Sequence, residues 1–372
     1  MKTINSILLA APLIVLAGCN SSSSANKDTK PVLDKPLANY TFTSAALIDL
    51  MKEREQIFES MSVYFDGTTY NQMKFAETTP EGNLVVQLQD NSSNTIDIQL
   101  SEGQDDLCMI YSESKLRDYF VCNDSVSSVS NESTLIQSKT KATDKDITVE
   151  FISEAPELIP SIGSTLLTVT SNNNAIEINT SFAFKAFYRE MLSITDAASH
   201  ADIDNRIHST LGATTYLQVQ DIVQQYKGSD MTFKFSSHIG GSADDDINLY
   251  TGLLIHDNNM TTVVTATGSV FSGGTDLFAA GKVRILERAD DSVAIEANKQ
   301  IGVHSWSNGQ QSAKEIPYTD ESHRKQATFF NTVMGDKGID FYVFTLDSAP
   351  FDGEHWVTKA DSDKYDFITT IQ

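Results

Sequence analysis

The chain has 372 residues, with 27 Lys and Arg against 50 Asp and Glu, a formal net charge of −23 and a pI near 4.5. An acidic balance of this size repels phosphate, so nucleic acid is excluded as an expected partner. Beyond the N-terminus no apolar run is long enough to cross a bilayer, and the body is expected to be soluble.

In chain order the first expected element is an export signal. Lys2 precedes an apolar run, Ile7 to Ala17, interrupted by Pro12. The run is too short for a mature spanning helix and has the layout of a signal peptide. It ends in Leu16-Ala17-Gly18-Cys19, which resembles the lipobox of bacterial lipoproteins. That resemblance implies cleavage before Cys19 and a diacylglycerol on its thiol. Residues 1–18 are therefore read as signal peptide and 19–39 as a lipidated tether. Asn20 is not the aspartate that often retains such proteins at the inner membrane, so a periplasmic-facing anchor in the outer membrane is favoured. Asn20 to Lys30 is almost wholly polar and cannot bury enough surface to offset its ordering entropy. A lipoprotein cysteine carries several acyl chains, which anchor far better than one.

Residues 40–160 read as a β-rich module. Ala45 to Phe58 has helical spacing in Ala46, Leu47, Leu50, Met51, Ile57 and Phe58. Short alternating segments follow, among them Leu84–Leu88, Thr95–Leu100 and Ile147–Phe151, separated by polar turns. With Cys19 lipidated, Cys108 and Cys122 remain, in strand-like segments around a turn expected from Ser112 to Asp118. If Cys108 faces Cys122, then Ile110 faces Phe120 and Tyr111 faces Tyr119, with both sulfurs on the Ile110 face. A cross-strand disulfide follows in an oxidising compartment, worth roughly 3 kcal/mol for so short a loop. The spacing suits neither a redox motif nor a metal site. Asp124 and Ser125 are adjacent but lie in a polar loop with no histidine nearby. The module reads as a spacer, a partner-binding unit or an oligomerisation unit.

From residue 161 onward strands alternate with helices. Thr214 to Tyr226 is helical and stops at Gly228; Met231–Phe235 is a strand. Ser237–Gly241 reads as a turn into a helix capped by Ser242, with Asp244, Asp245 and Asp246 in its first turn. Thr261–Thr265 is the next strand, and Ser272–Ala280 a helix stopped by Gly281. Successive β-α units imply a largely parallel sheet.

Two strand-to-helix turns are glycine-rich. Glycine lets backbone approach a ligand, and the free amides of a first helical turn can hold an oxyanion. Ser272 stands where its hydroxyl meets the positive end of a helix, and Ile301-Gly302-Val303-His304 ends a short strand on a histidine. Together they offer a nucleophile and a base. Taken singly, Ser272 reads equally as an N-cap, His304 as a satisfied buried histidine and Gly240-Gly241 as a tight turn.

Three blocks carry a family resemblance: Phe235–Ser242, Gly268–Gly281 and Ile301–Trp306. In that order they are similar to the glycine turn, serine segment and histidine segment of the Clp protease proteolytic subunit and its crotonase-like superfamily. The resemblance implies an α/β, Clp/crotonase-type β-α superhelical domain over 161–372. It places Ser272 on the nucleophile, His304 on the general base, and the Gly241 and Gly273 amides on the oxyanion hole. Ile239 departs from the proline the family carries there, and the stretch between Gly281 and His304 is longer, with acidic Glu287 to Asp291. Asp352 and Glu354 are candidates for the acidic triad member, with Asp347 a third.

His200, His208, His256 and His323 lie among polar residues and read as exposed, while His238 sits beside the glycine turn. No pair has metal-site spacing, so neither metal nor cofactor is expected. The leading expectation is a membrane-anchored periplasmic serine hydrolase, foremost a peptidase acting on a peptide or protein. Relatives that assemble into rings or stacks imply a homo-oligomer. The alternative is a non-catalytic envelope lipoprotein that binds or scaffolds partners. Acyl-thioester chemistry ranks last, because the periplasm offers little coenzyme A.

Overall fold

The computed structural model describes residues 33–372 apart from 80, 102–106, 113–114, 123–125, 131–132, 153–154, 173–174 and 196–206. Cys19 and the expected signal peptide lie outside these residues, as do Asp124, Ser125 and His200.

The spacing that predicts a helix over Ala45–Phe58 yields α1 (Ser44–Phe58), capped by the Thr43 hydroxyl, which accepts from the Ala46 amide at 3.1 Å. Next come β1 (Met61–Phe65), β2 (Thr68–Tyr70), β3 (Gln72–Thr78), β4 (Leu84–Gln89), β5 (Thr95–Leu100), β6 (Leu107–Ser112), β7 (Lys115–Val121), β8 (Val126–Ser130), β9 (Ser133–Lys139) and β10 (Asp146–Ile152). They form two antiparallel sheets, ordered β2-β1-β10-β9-β8 and β3-β4-β5-β6-β7. Period-2 alternation sends Val63, Val86, Leu88, Ile96, Ile98, Ile110, Phe120 and Val149 into one shared core. The other face of the second sheet, with Phe75, Val85 and Tyr111, packs on Phe182, Phe184, Phe187 and Tyr188.

Cys108 and Cys122 are joined, with Cα atoms 5.2 Å apart. The expected register is corrected by two residues: Cys108 pairs with Phe120, Ile110 with Asp118, and Tyr111 with Leu116 across a bulge. The strands run on to Ser112 and Lys115, so the connection is shorter than the turn expected over Ser112–Asp118. An even shift keeps every side chain on its face, and so the sulfurs still meet, now diagonally. The shift also brings Asp118 inside the sheet, where it is buried.

The rest of the chain opens with α2 (Ala155–Leu158) and a short 3₁₀ turn over Ile159–Ile162, followed by β11 (Thr165–Asn172), β12 (Ala175–Phe182), α3 (Lys185–Thr195), β13 (Ser209–Leu211) and α4 (Ala213–Gln225). Two repeats follow: β14 (Asp230–Phe235), β15 (His238–Ser242) and α5 (Asp245–Asp257), then β16 (Thr261–Val264), β17 (Ser269–Phe271) and α6 (Gly273–Ala279). The chain continues through β18 (Val283–Leu286), β19 (Ile301–Val303), α7 (Glu321–Met334), α8 (Gly338–Ser348), β20 (His355–Trp356), α9 (Lys359–Tyr365) and β21 (Thr370–Ile371).

Each repeat gives its first strand to one sheet, ordered β11-β12-β14-β16-β18-β21, and its second to another, ordered β13-β15-β17-β19-β20. From β12 to β18 in the first sheet, and from β13 to β19 in the second, the pairings are parallel. Successive β-β-α units thus wind into the Clp/crotonase-type α/β superhelix expected from the sequence, preceded by the β-rich module. Its core holds Phe233, Phe235, Val264, Val270, Leu277, Phe278 and Leu286.

Two local expectations are corrected. Ser237–Gly241 is not a turn, because His238 to Ser242 form strand β15. The helix after it starts at Asp245, with Asp244 as N-cap accepting from the Ile247 amide at 3.2 Å. Ser242 instead donates its hydroxyl to Asp245.

Leu33–Gln372 is one compact unit by its internal contacts. Ile159 and Ile162 complete the module's core, and the Ala76 amide donates to the Gly163 carbonyl at 2.9 Å. Glu77 on β3 accepts from the hydroxyls of Ser164 and Thr210, the latter at 2.9 Å. Gly163, at φ +84°, has no room for a side chain: a Cβ there would lie 2.7 Å from the Gly212 amide nitrogen. Among the described residues no helix is long and apolar enough to cross a membrane.

Candidate active site

The parallel sheet assembles the site by register. Ile239 pairs with Val270, Val270 with Ile301, and Phe271 with Gly302. Strands β15, β17 and β19 therefore end side by side and deliver Gly241, Ser272 and His304 to one edge. Ligand sites of open parallel sheets lie at the C-terminal ends of strands for the same reason. A Cβ on Gly241 would stand 3.4 Å from the Ser272 Cβ and 3.7 Å from its Oγ.

Ser272 is strained. It sits at φ 52°, ψ −123°, a region that costs a residue with a Cβ on the order of 1–3 kcal/mol. It occupies the N-cap position of α6 but makes no side-chain capping bond, so capping does not account for it. The backbone is fixed in part by the Ser272 amide donating to the Gly302 carbonyl at 3.3 Å. Gly273 opens the helix, where first-turn amides lack intrahelical acceptors. Its hydrogen cannot be replaced, since a Cβ would lie 2.6 Å from the Ser242 Oγ.

His304 is half-buried with its ring 4.7 Å from that of Phe271. Its Nδ1–H donates to the Phe351 carbonyl at 2.7 Å, which leaves the Nε2 lone pair as the basic site. Burial lowers its proton affinity; the Phe351 bond and the charge of Asp245 oppose this but do not reverse it. The imidazole is accordingly neutral at neutral pH. Among the described residues no hydrogen bond joins it to the Ser272 hydroxyl, but both face one cavity of about 40 Å³.

Two carboxyls face the same cavity, Asp245 and Asp276. Asp276 is pushed well above the ordinary carboxyl range by burial and then by the charge of Asp245. Asp245 is raised by burial, partly offset by the Ser242 bond, and raised further by Asp244 and Asp246. The Asp245 side chain is nonetheless solvent-exposed. A second cavity of about 280 Å³ adjoins the first and shares Asp245, Trp306 and Gln326 with it.

Below the site runs a polar chain. The Trp306 indole donates to the Tyr342 hydroxyl at 2.9 Å, Tyr342 donates to His323 Nδ1 at 2.7 Å, and His323 Nε2–H donates to the Ala313 carbonyl at 2.9 Å. His323, expected to be exposed, is fully buried. It lies on the same face of α7 as Ala327 and Phe330, and its two satisfied nitrogens make that burial tolerable.

None of the acids proposed from sequence hydrogen-bonds the imidazole. Glu354 pairs with Lys299 at 3.2 Å and Asp347 with Lys314 at 2.9 Å, while Asp352 is exposed. His238 bonds the Ser269 hydroxyl at 2.7 Å from the opposite ends of the same strands. A further cavity of about 950 Å³ is an open groove between the module and α4 and includes none of these site residues. Among the described residues no three His, Cys, Asp or Glu are grouped to hold a metal ion.

No family profile matches the sequence, and no curated protein matches it. Similar solved structures include an enoyl-CoA hydratase from Shewanella pealeana ATCC 700345, 10% identical over 55% of this chain and 68% of that one, with a TM-score of 0.33. An enoyl-CoA hydratase from Thermoplasma volcanium GSS1 is 9% identical over 56% and 72%, with a TM-score of 0.34. A monofunctional enoyl CoA isomerase from M. smegmatis is 10% identical over 56% and 76%, with a TM-score of 0.32. Scores of this size fix neither a family nor a function; the strand order and register describe the fold.

Proposed function

We propose that this chain is a serine hydrolase of the cell envelope, a peptidase held to the outer membrane by a lipid on Cys19. The observation that carries the reading is the backbone of Ser272, held at positive φ beside Gly241, free of a capping role and sharing a cavity with a neutral His304. A strained serine on a strand-to-helix turn presents its hydroxyl outward, and such strain persists only where the surroundings enforce it. In this reading Ser272 Oγ attacks a carbonyl carbon while His304 Nε2 takes its proton. The amides of Gly241 and Gly273 receive the charge that develops on the carbonyl oxygen. The leaving group then collects the proton from the imidazolium.

A fluorophosphonate probe on the purified protein tests this. Labelling should depend on Ser272, and Ser272→Ala and His304→Ala should each lower turnover about a thousandfold or more, with little further loss in the double variant. Activity should fall as acid protonates His304. Because burial lowers its proton affinity, that limb should lie below the ordinary histidine value near 6.5. Labelling undiminished in Ser272→Ala would sink the assignment. Absence of both labelling and turnover would favour a non-catalytic binding role.

A second reading is favoured by the Asp245–Asp276 pair. Two carboxyls facing a small cavity beside paired glycine amides suit acid-base chemistry on an acyl thioester. It requires turnover that survives Ser272→Ala and is lost in Asp276→Asn.

A further inference from the structure

We infer that Asp245, and not an acid from the C-terminal turn, is the residue that steadies His304 in its charged form. The inference rests on the serine-hydrolase reading and names the member of the site that the sequence could not place. It starts from a division of labour around the imidazole. The Phe351 carbonyl holds Nδ1–H at 2.7 Å and fixes tautomer and ring orientation. A carbonyl is a neutral dipole, and so it supplies no countercharge. When Ser272 Oγ forms its bond to the carbonyl carbon, the Oγ–H bond breaks and an Nε2–H bond forms. One positive charge then sits on the ring and one negative charge on the substrate oxygen, held by the two amides. The positive charge needs a protein anion on the cavity side of the ring.

The geometry offers Asp245 for that place. Asp245, Ser272 and His304 line one cavity of about 40 Å³, room for only a few waters. Asp245 is the first residue of α5, and its carboxylate is held by the hydroxyl of Ser242, which itself packs on Gly273. Its neighbours have cationic partners of their own: Asp244 with Arg54, and Asp246 with Lys325 at 2.9 Å. Among the described residues its one hydrogen-bond donor is the neutral Ser242 hydroxyl, which orients it without cancelling its charge.

The other ionisable groups near the ring do not compete. Asp276, from α6, is biased toward its neutral form by burial and by Asp245 itself. Tyr342, from α8, is held neutral by burial. Lys299 and Glu354 form their own pair beside Trp356. The mutual influence of Asp245 and His304, each favouring the other's charged form, agrees with this placement.

The test is the titration of His304 followed by NMR in the purified full chain, together with kcat and KM across pH. In Asp245→Asn the imidazole should lose about tenfold in proton affinity or more. The acid limb of kcat should move to lower pH, kcat should fall at least tenfold, and KM should change little. Asp245→Glu should restore much of both. Asp352→Asn and Glu354→Gln should leave the His304 titration in place. A His304 titration unmoved by Asp245→Asn, or one moved by Asp352→Asn instead, overturns the inference. The NMR readout does not require turnover. A shifted titration in a protein whose Ser272 never labels would therefore keep the Asp245–His304 coupling and remove the hydrolase reading.

Discussion

Asp118 in the β-rich module and Asp276 in the superhelix are both drawn out of water, and the two regions treat them in opposite ways. Asp118 is 2% exposed and accepts from the amides of Tyr119, Ala142 and Thr143 at 2.9, 2.8 and 3.1 Å, and from the Thr143 hydroxyl. Burial pushes its proton affinity up, but the donors outweigh burial and bring it below the ordinary range. Among the described residues no such donor reaches Asp276, which faces a cavity and is raised well above that range. Between them lies Asp97 on β5, buried with a single amide donor, Gln87 at 2.8 Å, and pushed up to about 7 by burial. Donors, more than depth, decide whether a buried carboxyl ties the fold together or stays available for proton chemistry.

Substitution can break that comparison. Asp118→Ala strands three backbone amides and should cost about 3 kcal/mol, read from urea or thermal melts at neutral pH. Tolerance of this change would refute the structural role. Asp276→Asn should act in the opposite sense. A carboxyl with a raised native pKa favours the fold most below its unfolded value near 3.9, and the benefit is lost as pH rises through the native value. The melting temperature of Asp276→Asn should therefore exceed wild type at pH 8 and match it near pH 4. A net loss of stability at pH 8 would mean that Asp276 has a structural partner after all. Asp97→Asn should show a smaller gain of the same sign, growing from pH 4 and levelling off above about 7. Asparagine can still accept from Gln87, so an unchanged pH profile would mean that Asp97 titrates as an ordinary carboxyl.

The periodic parts of the fold were legible. Helix α1 and strands β4, β5, β14 and β16 lie within a residue or two of their hydrophobic patterns, because each buries one regular face. Strand β15 was not, since His238-Ile239-Gly240-Gly241-Ser242 has the composition of a turn. Its glycines answer to neighbours distant in sequence: a Cβ on Gly240 would lie 3.0 Å from the His208 Cβ. The hairpin register slipped by two because an even shift leaves the hydrophobic pattern unchanged, and only the turn and the bulge distinguish the two registers. At the candidate site, Gly241, Ser272, Gly273 and His304 could be named because short glycine-rich segments mark strand ends. Asp245 and Asp276 could not, since each looks like an ordinary helix acid until the cavity beside it is visible. His323 was misjudged for the same reason, its sequence neighbours being polar while its helix face is not.

The Glu77 joint bears on how such a chain can be inherited. A recombination break at 160/161 would separate Glu77 from the two hydroxyls that satisfy it, and would divide the 3₁₀ turn that supplies Ile159 and Ile162 to the module's core. Either fragment would carry a surface shaped only for the other. Cut there, the two regions should be less stable apart than joined.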